Sequence, residues 1–160
     1  MRRQLGVLAS GLLFASSAPR AEPVRVALAA GYWGLRAHEP HELALQLEVR
    51  PGVRWWWVRP TLGLLQSSEG TQYLFGGVLI EIPLPWGVTV APGITAGFRT
   101  LHGARNLGAN FLFKSSVELG VPLTPGARAL VSFAHVSNAR LSAPNPGVET
   151  LIFGLELSLE

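Results

Sequence analysis

The chain has 160 residues, of which 48% are hydrophobic and 14% charged, with 18 glycines, 12 prolines and no cysteine. This composition is more apolar and less charged than that of an ordinary soluble domain, and the lack of cysteine excludes a disulfide scaffold. The formal net charge of +3 includes three arginines in the first 21 residues. Without them the charge is zero (3 − 3), which gives no sign of a nucleic-acid partner.

The N-terminal segment has the layout of a secretory signal peptide. Two arginines precede an apolar stretch over residues 5–18, which is shorter than the roughly 20 residues that a membrane-spanning helix needs. Small residues then allow cleavage after Ala18 or after Ala21, and we favour Ala21. Residues 1–21 are therefore predicted to be a signal peptide, and residues 22–160 to form one exported domain.

The remaining sequence consists of short segments in which apolar and polar residues alternate, and such alternation places successive side chains on opposite faces of a β-strand. In 43–50, leucine or valine occupies every odd position, while alanine, glutamine, glutamate and arginine occupy the even ones. Strands are predicted over 24–33, 43–50, 54–65, 72–82, 88–98, 111–121, 127–137 and 149–159. Because a closed barrel pairs every backbone group within lipid, these segments predict an all-β fold, an eight-stranded antiparallel transmembrane β-barrel.

The connections between the predicted strands alternate in length. Short turns are predicted at 51–52, 83–87 and 122–126, and longer connections at 34–42, 66–71, 99–110 and 138–148. Transmembrane barrels have short periplasmic turns and longer extracellular loops. The charged residues on the polar strand faces are predicted to fill a narrow lumen, among them Glu48, Arg50, Lys114 and Glu118.

The last two predicted strands carry polar residues on an otherwise apolar face. Phe133 and Phe153 stand at odd positions of these strands, and so do His135, Ser137 and Glu149. The apolar odd face must look at lipid, so the three polar side chains lie outside the barrel, where both strands meet their connecting loop. Polar groups on a lipid-facing surface are costly, which favours a functional role for them.

These three residue types are those of a nucleophile, a base and an orienting carboxylate. His135 would take the proton of Ser137, whose oxygen attacks an ester carbonyl, while Glu149 fixes the imidazole tautomer. Asn138, next to the nucleophile, would donate to the oxyanion. A His-x-Ser pair alone is common on strands; its position on the lipid face beside a glutamate favours an active site for a lipid substrate.

The loop between these strands adds a family resemblance. The run His-Val-Ser-Asn-Ala at 135–139, followed by Pro-Asn-Pro-Gly-Val-Glu at 144–149, closely resembles the signature of the lipid A 3-O-deacylase (PagL-type) family. The run Asn-Leu-Gly at 106–108 is also similar to that family. The resemblance implies an eight-stranded outer-membrane barrel that hydrolyses the ester-linked 3-O-acyl chain of lipid A without a metal or other cofactor. The roles it implies are base for His135, nucleophile for Ser137, third triad member for Glu149 and oxyanion donor for Asn138.

The resemblance also implies lipid A, or lipopolysaccharide, of the outer leaflet as the substrate and the Gram-negative outer membrane as the location. Arg105 and Arg140 lie on loops beside the expected site and would either bind the substrate's phosphates or be solvated loop arginines. The segment 38–42, His-Glu-Pro-His-Glu, is expected to be a solvated loop, with a metal or lipid-phosphate bridge as the alternative. A homodimer, the acyl-chain preference and latency in the membrane are left open.

Two other classes of protein share this composition. A non-enzymatic eight-stranded outer-membrane barrel, structural or adhesive, would differ only in the function of the last hairpin. A soluble lipocalin-like barrel would bind a lipid inside and would need its apolar residues to face inward. Heat-modifiable migration in detergent would indicate a membrane barrel.

Overall fold

The structure, a computed structural model, describes residues 18–36, 41–100 and 105–159. Most of the predicted signal peptide, residues 1–17, lies outside the described residues. Within the described ranges, no helix has both the length and the apolar character needed to cross a membrane.

In the described part of the chain, eight long strands form one closed antiparallel barrel. They are β1 Val24–Trp33, β2 Glu42–Arg50, β3 Val58–Ser67, β4 Gln72–Ile80, β5 Thr89–Arg99, β6 Phe111–Thr124, β7 Ala127–Ser137 and β8 Val148–Leu159. Each strand pairs with its neighbours along the chain, and β1 pairs with β8 to close the ring. Two-residue strands at Arg20–Ala21, Val53–Arg54 and Ile82–Pro83 lie at the end that holds the short turns. The predicted eight-stranded barrel is confirmed.

The predicted and observed strands differ most at β3. This strand was expected to begin at residue 54, but it begins at Val58. The cause is a tight turn in which Trp56 has a left-handed backbone (φ 54°) and Trp55 bridges Val58, because left-handed backbone does not continue a strand. The turn expected at 51–52 is therefore a longer connection over 51–57.

The outer face of the barrel is apolar and the inner face is polar. Large hydrophobic side chains are exposed on the strands, including Leu28, Leu45, Leu62, Leu74, Ile94, Val117, Phe133 and Leu155. The buried polar side chains include Gln46, Glu48, Arg50, Thr61, Lys114, Glu118 and Glu156. This orientation fits a lipid environment and is the reverse of the one that a soluble lipid-binding barrel requires, so the lipocalin-like alternative is wrong.

The middle of the lumen is filled by a network of charges centred on Arg50. Its guanidinium lies 2.6 Å from a carboxylate oxygen of Glu118, 2.6 Å from one of Glu156 and 2.9 Å from one of Glu48. The ammonium of Lys114 lies 3.9 Å from the centre of the Phe75 ring. Buried charges persist when they are paired in this way, and the predicted lumen network is confirmed.

A second charge cluster lies at the short-turn end of the barrel, where Arg25 and Arg59 contact Glu81 at 2.9 and 3.0 Å. Arg59 also pairs with Glu22. Burial disfavours the charged form of Glu81, but the cations of Arg25 and Arg59 outweigh it and hold the pKa of this carboxyl below its ordinary value. Cleavage after Ala21 would retain Glu22 and its ion pairs.

The opposite end of the lumen is closed by an apolar cluster. Trp33, Tyr73, Phe75, Leu112 and Val136 are buried there together. The cluster lies directly behind the end of the β7–β8 hairpin, since Val136 belongs to β7. It gives the outward-facing side chains of the hairpin a rigid support.

Candidate active site

The hairpin of β7 and β8 holds the predicted triad residues at its loop end. His135 lies directly opposite Glu149 in the antiparallel pairing. Ser137 is the last residue of β7 and follows His135 on the same face. Phe133 and Phe153, on the same face, are each about half exposed. The structure therefore joins His135 and Glu149 on the outside of the barrel, and Ser137 stands two residues after His135 on the same face of β7.

The imidazole of His135 and the carboxylate of Glu149 are in hydrogen-bond contact. Nδ1 of His135 lies 3.0 Å from Oε1 of Glu149. The His135 side chain is 41% exposed, whereas that of Glu149 is 12% exposed. When Nδ1 donates to the carboxylate, Nε2 is the nitrogen that can accept a proton. Glu149 thus selects the tautomer in which the exposed imidazole can act as a base.

Ser137 is partly exposed and contacts the start of the β7–β8 loop. Its Oγ accepts a long hydrogen bond, 3.5 Å, from the backbone N–H of Ala139. Ala139 and the next residue, Arg140, both have left-handed backbone, with φ of 51° and 66°. This local reversal turns the chain away from β7 immediately after the hydroxyl.

Gly147 packs its backbone against the imidazole ring. It has a left-handed φ of 65°, and a Cβ added at this position would lie 2.4 Å from Cε1 of His135. Only glycine meets both demands without strain. The end of the loop is therefore in close contact with the imidazole ring.

The loop between β7 and β8 is organised around the side chain of Asn138, which is fully buried. Its amide nitrogen donates to the carbonyl oxygens of Leu107, Ser142 and Pro144 at 2.9–3.0 Å. Its amide oxygen accepts the backbone N–H of Arg140 at 2.8 Å. The amide hydrogens of Asn138 are thus directed at acceptors within the loops, whereas an oxyanion donor has to point at the attacked carbonyl.

The Asn-Leu-Gly run at 106–108 docks the β5–β6 loop on the β7–β8 loop. Besides the Leu107 carbonyl, the carbonyl oxygen of Gly108 accepts a hydrogen bond from the Ser142 hydroxyl at 2.7 Å. A Cβ on Gly108 would lie 1.9 Å from the carbonyl oxygen of Pro144. The run that resembles the family in sequence therefore holds the β7–β8 loop in place.

The arginine that reaches the triad is Arg36, which the sequence analysis did not single out. It follows β1, and its guanidinium pairs with Oε1 of Glu149. Closure of the barrel predicts this contact, because Trp33 of β1 pairs with Thr150 of β8 and the residues after Trp33 therefore pass Glu149. Of the two arginines for which phosphate binding and a solvated loop position were the alternatives, Arg140 is exposed on the loop and Arg105 is partly buried.

The segment 38–42 is described only in part, because residues 37–40 lie outside the described residues. His41 is exposed, and its Nδ1 donates to the carbonyl oxygen of Gly34 at 2.7 Å. Glu42 is buried and contacts the Ser67 hydroxyl. For Glu42 the expected solvated loop is wrong, because β2 begins there and turns this side chain inward. Within the described residues, no cluster of potential ligands fits a metal ion.

A shallow groove of about 210 Å³ runs along the outer face beside the imidazole. It is lined by residues of β6 and β7: Ser115, Ser116, Val117, Phe133 and His135. The groove therefore lies on the outer, apolar face of the barrel.

A family model and a sequence relative indicate the same family for this chain. The model of the family Lipid A 3-O-deacylase (PagL) matches residues 31–158. The lipid A deacylase PagL of Bordetella bronchiseptica is 25% identical over 122 residues, which cover 76% of this chain and 54% of that protein. The chain therefore spans about half the length of this relative.

Solved structures of low sequence identity share the fold. The crystal structure of the outer membrane enzyme PagL has a TM-score of 0.69 at 20% identity, covering 84% of this chain and 99% of the other. Neisserial surface protein A has a TM-score of 0.64 at 8% identity, covering 89% and 100%. The family match and the apolar outer face of the barrel confirm the predicted location in the outer membrane. Because the family model spans most of the sequence, the chain belongs to the lipid A 3-O-deacylase (PagL) family.

Proposed function

We propose that this protein is an outer-membrane esterase that hydrolyses the ester-linked 3-O-acyl chain of lipid A, with His135, Ser137 and Glu149 as its catalytic triad. The observation that carries the proposal is the 3.0 Å contact between His135 Nδ1 and Glu149 Oε1 on the lipid-facing side of the barrel, beside Ser137. A charge pair that served only the stability of the barrel would be expected to lie buried in the lumen. A partly exposed His–Glu pair beside a serine hydroxyl, at the membrane surface, fits catalysis on an amphiphile.

The reaction follows from these three side chains. Nε2 of His135 takes the proton from the Ser137 hydroxyl as Oγ attacks the ester carbonyl, and the imidazolium is stabilised by Glu149. Collapse of the tetrahedral intermediate breaks the ester bond, and the imidazolium returns the proton to the departing sugar oxygen. Water then hydrolyses the acyl-enzyme by the same proton transfers, which releases the fatty acid and restores Ser137. No cofactor enters these steps.

The oxyanion donor is assigned differently from the family resemblance. Donation by the Asn138 side chain would require its amide to leave the loop carbonyls that it now contacts. The backbone N–H of Ala139 lies 3.5 Å from Ser137 Oγ, so the oxygen of a carbonyl attacked by Ser137 would come within its reach, and Ala139 is exposed. We therefore assign oxyanion donation to this N–H and a loop-holding role to Asn138, since preorganised donors at the reacting centre stabilise the developing charge.

The substrate class follows from the position of the site. The triad lies at the loop end of the strands, where the ester of a lipid in the outer leaflet would meet it without leaving the membrane. The groove beside His135 would hold the scissile acyl chain, with Phe133 and Val117 as its apolar walls. Arg140 and Arg105, on the two loops that join above the site, would bind the substrate's phosphates. The proposed steps use a single chain, and a homodimer stays a prediction.

Mass spectrometry of lipid A from Gram-negative cells that express the protein tests the proposal. We expect the wild-type chain to remove one 3-hydroxyacyl group and Ser137→Ala to leave lipid A intact. Ser132→Ala is the matched control, because Ser132 lies on the same strand and is only partly exposed, away from the triad. Unchanged lipid A in cells whose wild-type barrel is heat-modifiable would favour the non-enzymatic alternative. Equal activity of Ser137→Ala would reject the assigned nucleophile.

A further inference from the structure

The loop between β1 and β2 contacts Glu149 through both its backbone and its side chain. The N–H of Gly34 donates to the backbone carbonyl of Glu149 at 2.9 Å, and the Gly34 carbonyl is in turn held by His41 at 2.7 Å. The guanidinium of Arg36 pairs with the Glu149 carboxylate. The third member of the proposed triad is thus held by a loop that is distant from the catalytic hairpin in sequence.

Arg36 and His135 meet at the same oxygen. Both contact Oε1 of Glu149, while Oε2 is buried without a hydrogen-bond partner among the described residues. A carboxylate held by the imidazole alone could rotate and present either oxygen. A second donor at Oε1 fixes which oxygen faces the imidazole.

The charge of Arg36 matters as well as its geometry. A neutral imidazole does not compensate the charge of Glu149, whose side chain is 88% buried (100 − 12). The guanidinium of Arg36 is always charged and stands beside this anion. When His135 becomes an imidazolium during the reaction, the carboxylate is already oriented to receive it.

We infer that Arg36 is a positioning residue that acts through Glu149, and that Gly34, Arg36 and His41, between β1 and β2, are therefore part of the catalytic unit. The inference rests on the proposed triad. The side chain of Arg36 is 54% exposed, so an anion of the substrate is the competing partner for its guanidinium. The two roles differ in what they change: positioning acts on kcat, whereas phosphate binding acts on KM.

The test is steady-state hydrolysis of lipid A in detergent micelles by purified, heat-modifiable protein. Arg36→Met keeps an apolar stem and removes the charge; we expect kcat to fall about tenfold, or about 1.4 kcal/mol, with KM unchanged. Arg36→Lys keeps the charge but loses the planar fork, and its kcat should lie between the two. Arg128→Met is the control, because this arginine begins the same hairpin at its other end, 3.8 Å from Glu156.

A double-mutant cycle with Glu149→Gln separates the roles. If Arg36 acts through the carboxylate, Arg36→Met causes no further loss of kcat in the Glu149→Gln background, measured with more enzyme and longer incubation. The inference would be overturned if Arg36→Met raised KM at unchanged kcat, or if it lowered kcat by the same factor in the wild-type and the Glu149→Gln backgrounds. If Arg36→Met does not fold, an Arg36→Lys protein with the wild-type kcat and a raised KM overturns it instead. Activity of the wild type together with inactivity of Ser137→Ala keeps the proposed function intact in every one of these cases.

Discussion

The contact between Gly147 and His135 gives the sharpest prediction about the site. In Gly147→Ala the new Cβ would lie 2.4 Å from Cε1 of His135, where ordinary contacts begin at 3.4 Å, an overlap of 1.0 Å (3.4 − 2.4). The backbone offers no relief, because the left-handed φ of 65° is itself unfavourable for alanine, by about 1–2 kcal/mol. The ring or the loop must therefore move by about this distance.

The cost to catalysis follows from the size of this displacement. His135 is held at 3.0 Å from Glu149, and a shift of about 1 Å takes it out of hydrogen-bond range. Misplacement of a reacting group by about 1 Å costs about 10²-fold in rate. The three atoms nearest to the added Cβ all belong to the imidazole of His135 and none to the backbone of a strand, so we expect Gly147→Ala to be about a hundredfold slower while remaining folded.

The measurement is the rate of fatty-acid release from lipid A in micelles, with heat-modifiable migration as the check on folding. Gly126→Ala is a matched control, because a Cβ at Gly126 meets nothing within 4 Å and this glycine lies in a turn at the other end of the barrel. A folded Gly147→Ala protein with wild-type activity would refute the claim that the close contact with Gly147 positions the imidazole.

Three further outcomes are expected. Glu149→Gln should lower kcat about 10³- to 10⁴-fold at similar KM, because the amide no longer selects the tautomer or stabilises the imidazolium; a loss below tenfold in the same assay would argue against a triad. Arg50→Met leaves buried carboxylates without their central cation and should lower the free energy of unfolding in micelles by about 3–5 kcal/mol; unchanged unfolding in urea would contradict the importance of the lumen network. Leu155→Arg places a charge on the exposed middle of β8. If this surface faces lipid, the substitution should lower the free energy of unfolding by about 2–4 kcal/mol; an unchanged free energy of unfolding would indicate that the surface faces water.

The sequence predicted the features that depend on local pattern. Alternation fixes which side chains share a face, and a single loop over 138–147 joins two consecutive strands that run antiparallel. Those two facts suffice to bring His135 and Ser137 beside Glu149. Nothing beyond the last hairpin is needed for that placement, which explains why it could be predicted without knowledge of the other strands.

The features that were missed depend on contacts between distant parts of the chain. Arg36 reaches Glu149 across 113 positions of sequence, and only the pairing of β1 with β8 makes them neighbours. The buried state of Asn138 depends on a carbonyl of the β5–β6 loop, at Leu107. The left-handed turn at Trp56 is a conformation that favours glycine and is uncommon for a bulky residue, so no local rule predicted it.

The contacts that hold Glu149 connect closure of the barrel to the proposed activity. The hairpin alone supplies His135, Ser137 and Glu149, but the backbone and side-chain contacts that hold Glu149 come from the β1–β2 loop. These contacts exist only when β1 pairs with β8, which is the pairing that joins the two ends of the sheet. The lumen behind the hairpin is occupied by buried side chains, so a lipid substrate would reach the proposed triad from the membrane side. An open sheet would carry the three residues of the proposed triad without their support, so the proposed hydrolysis should depend on closure of the barrel as well as on the hairpin.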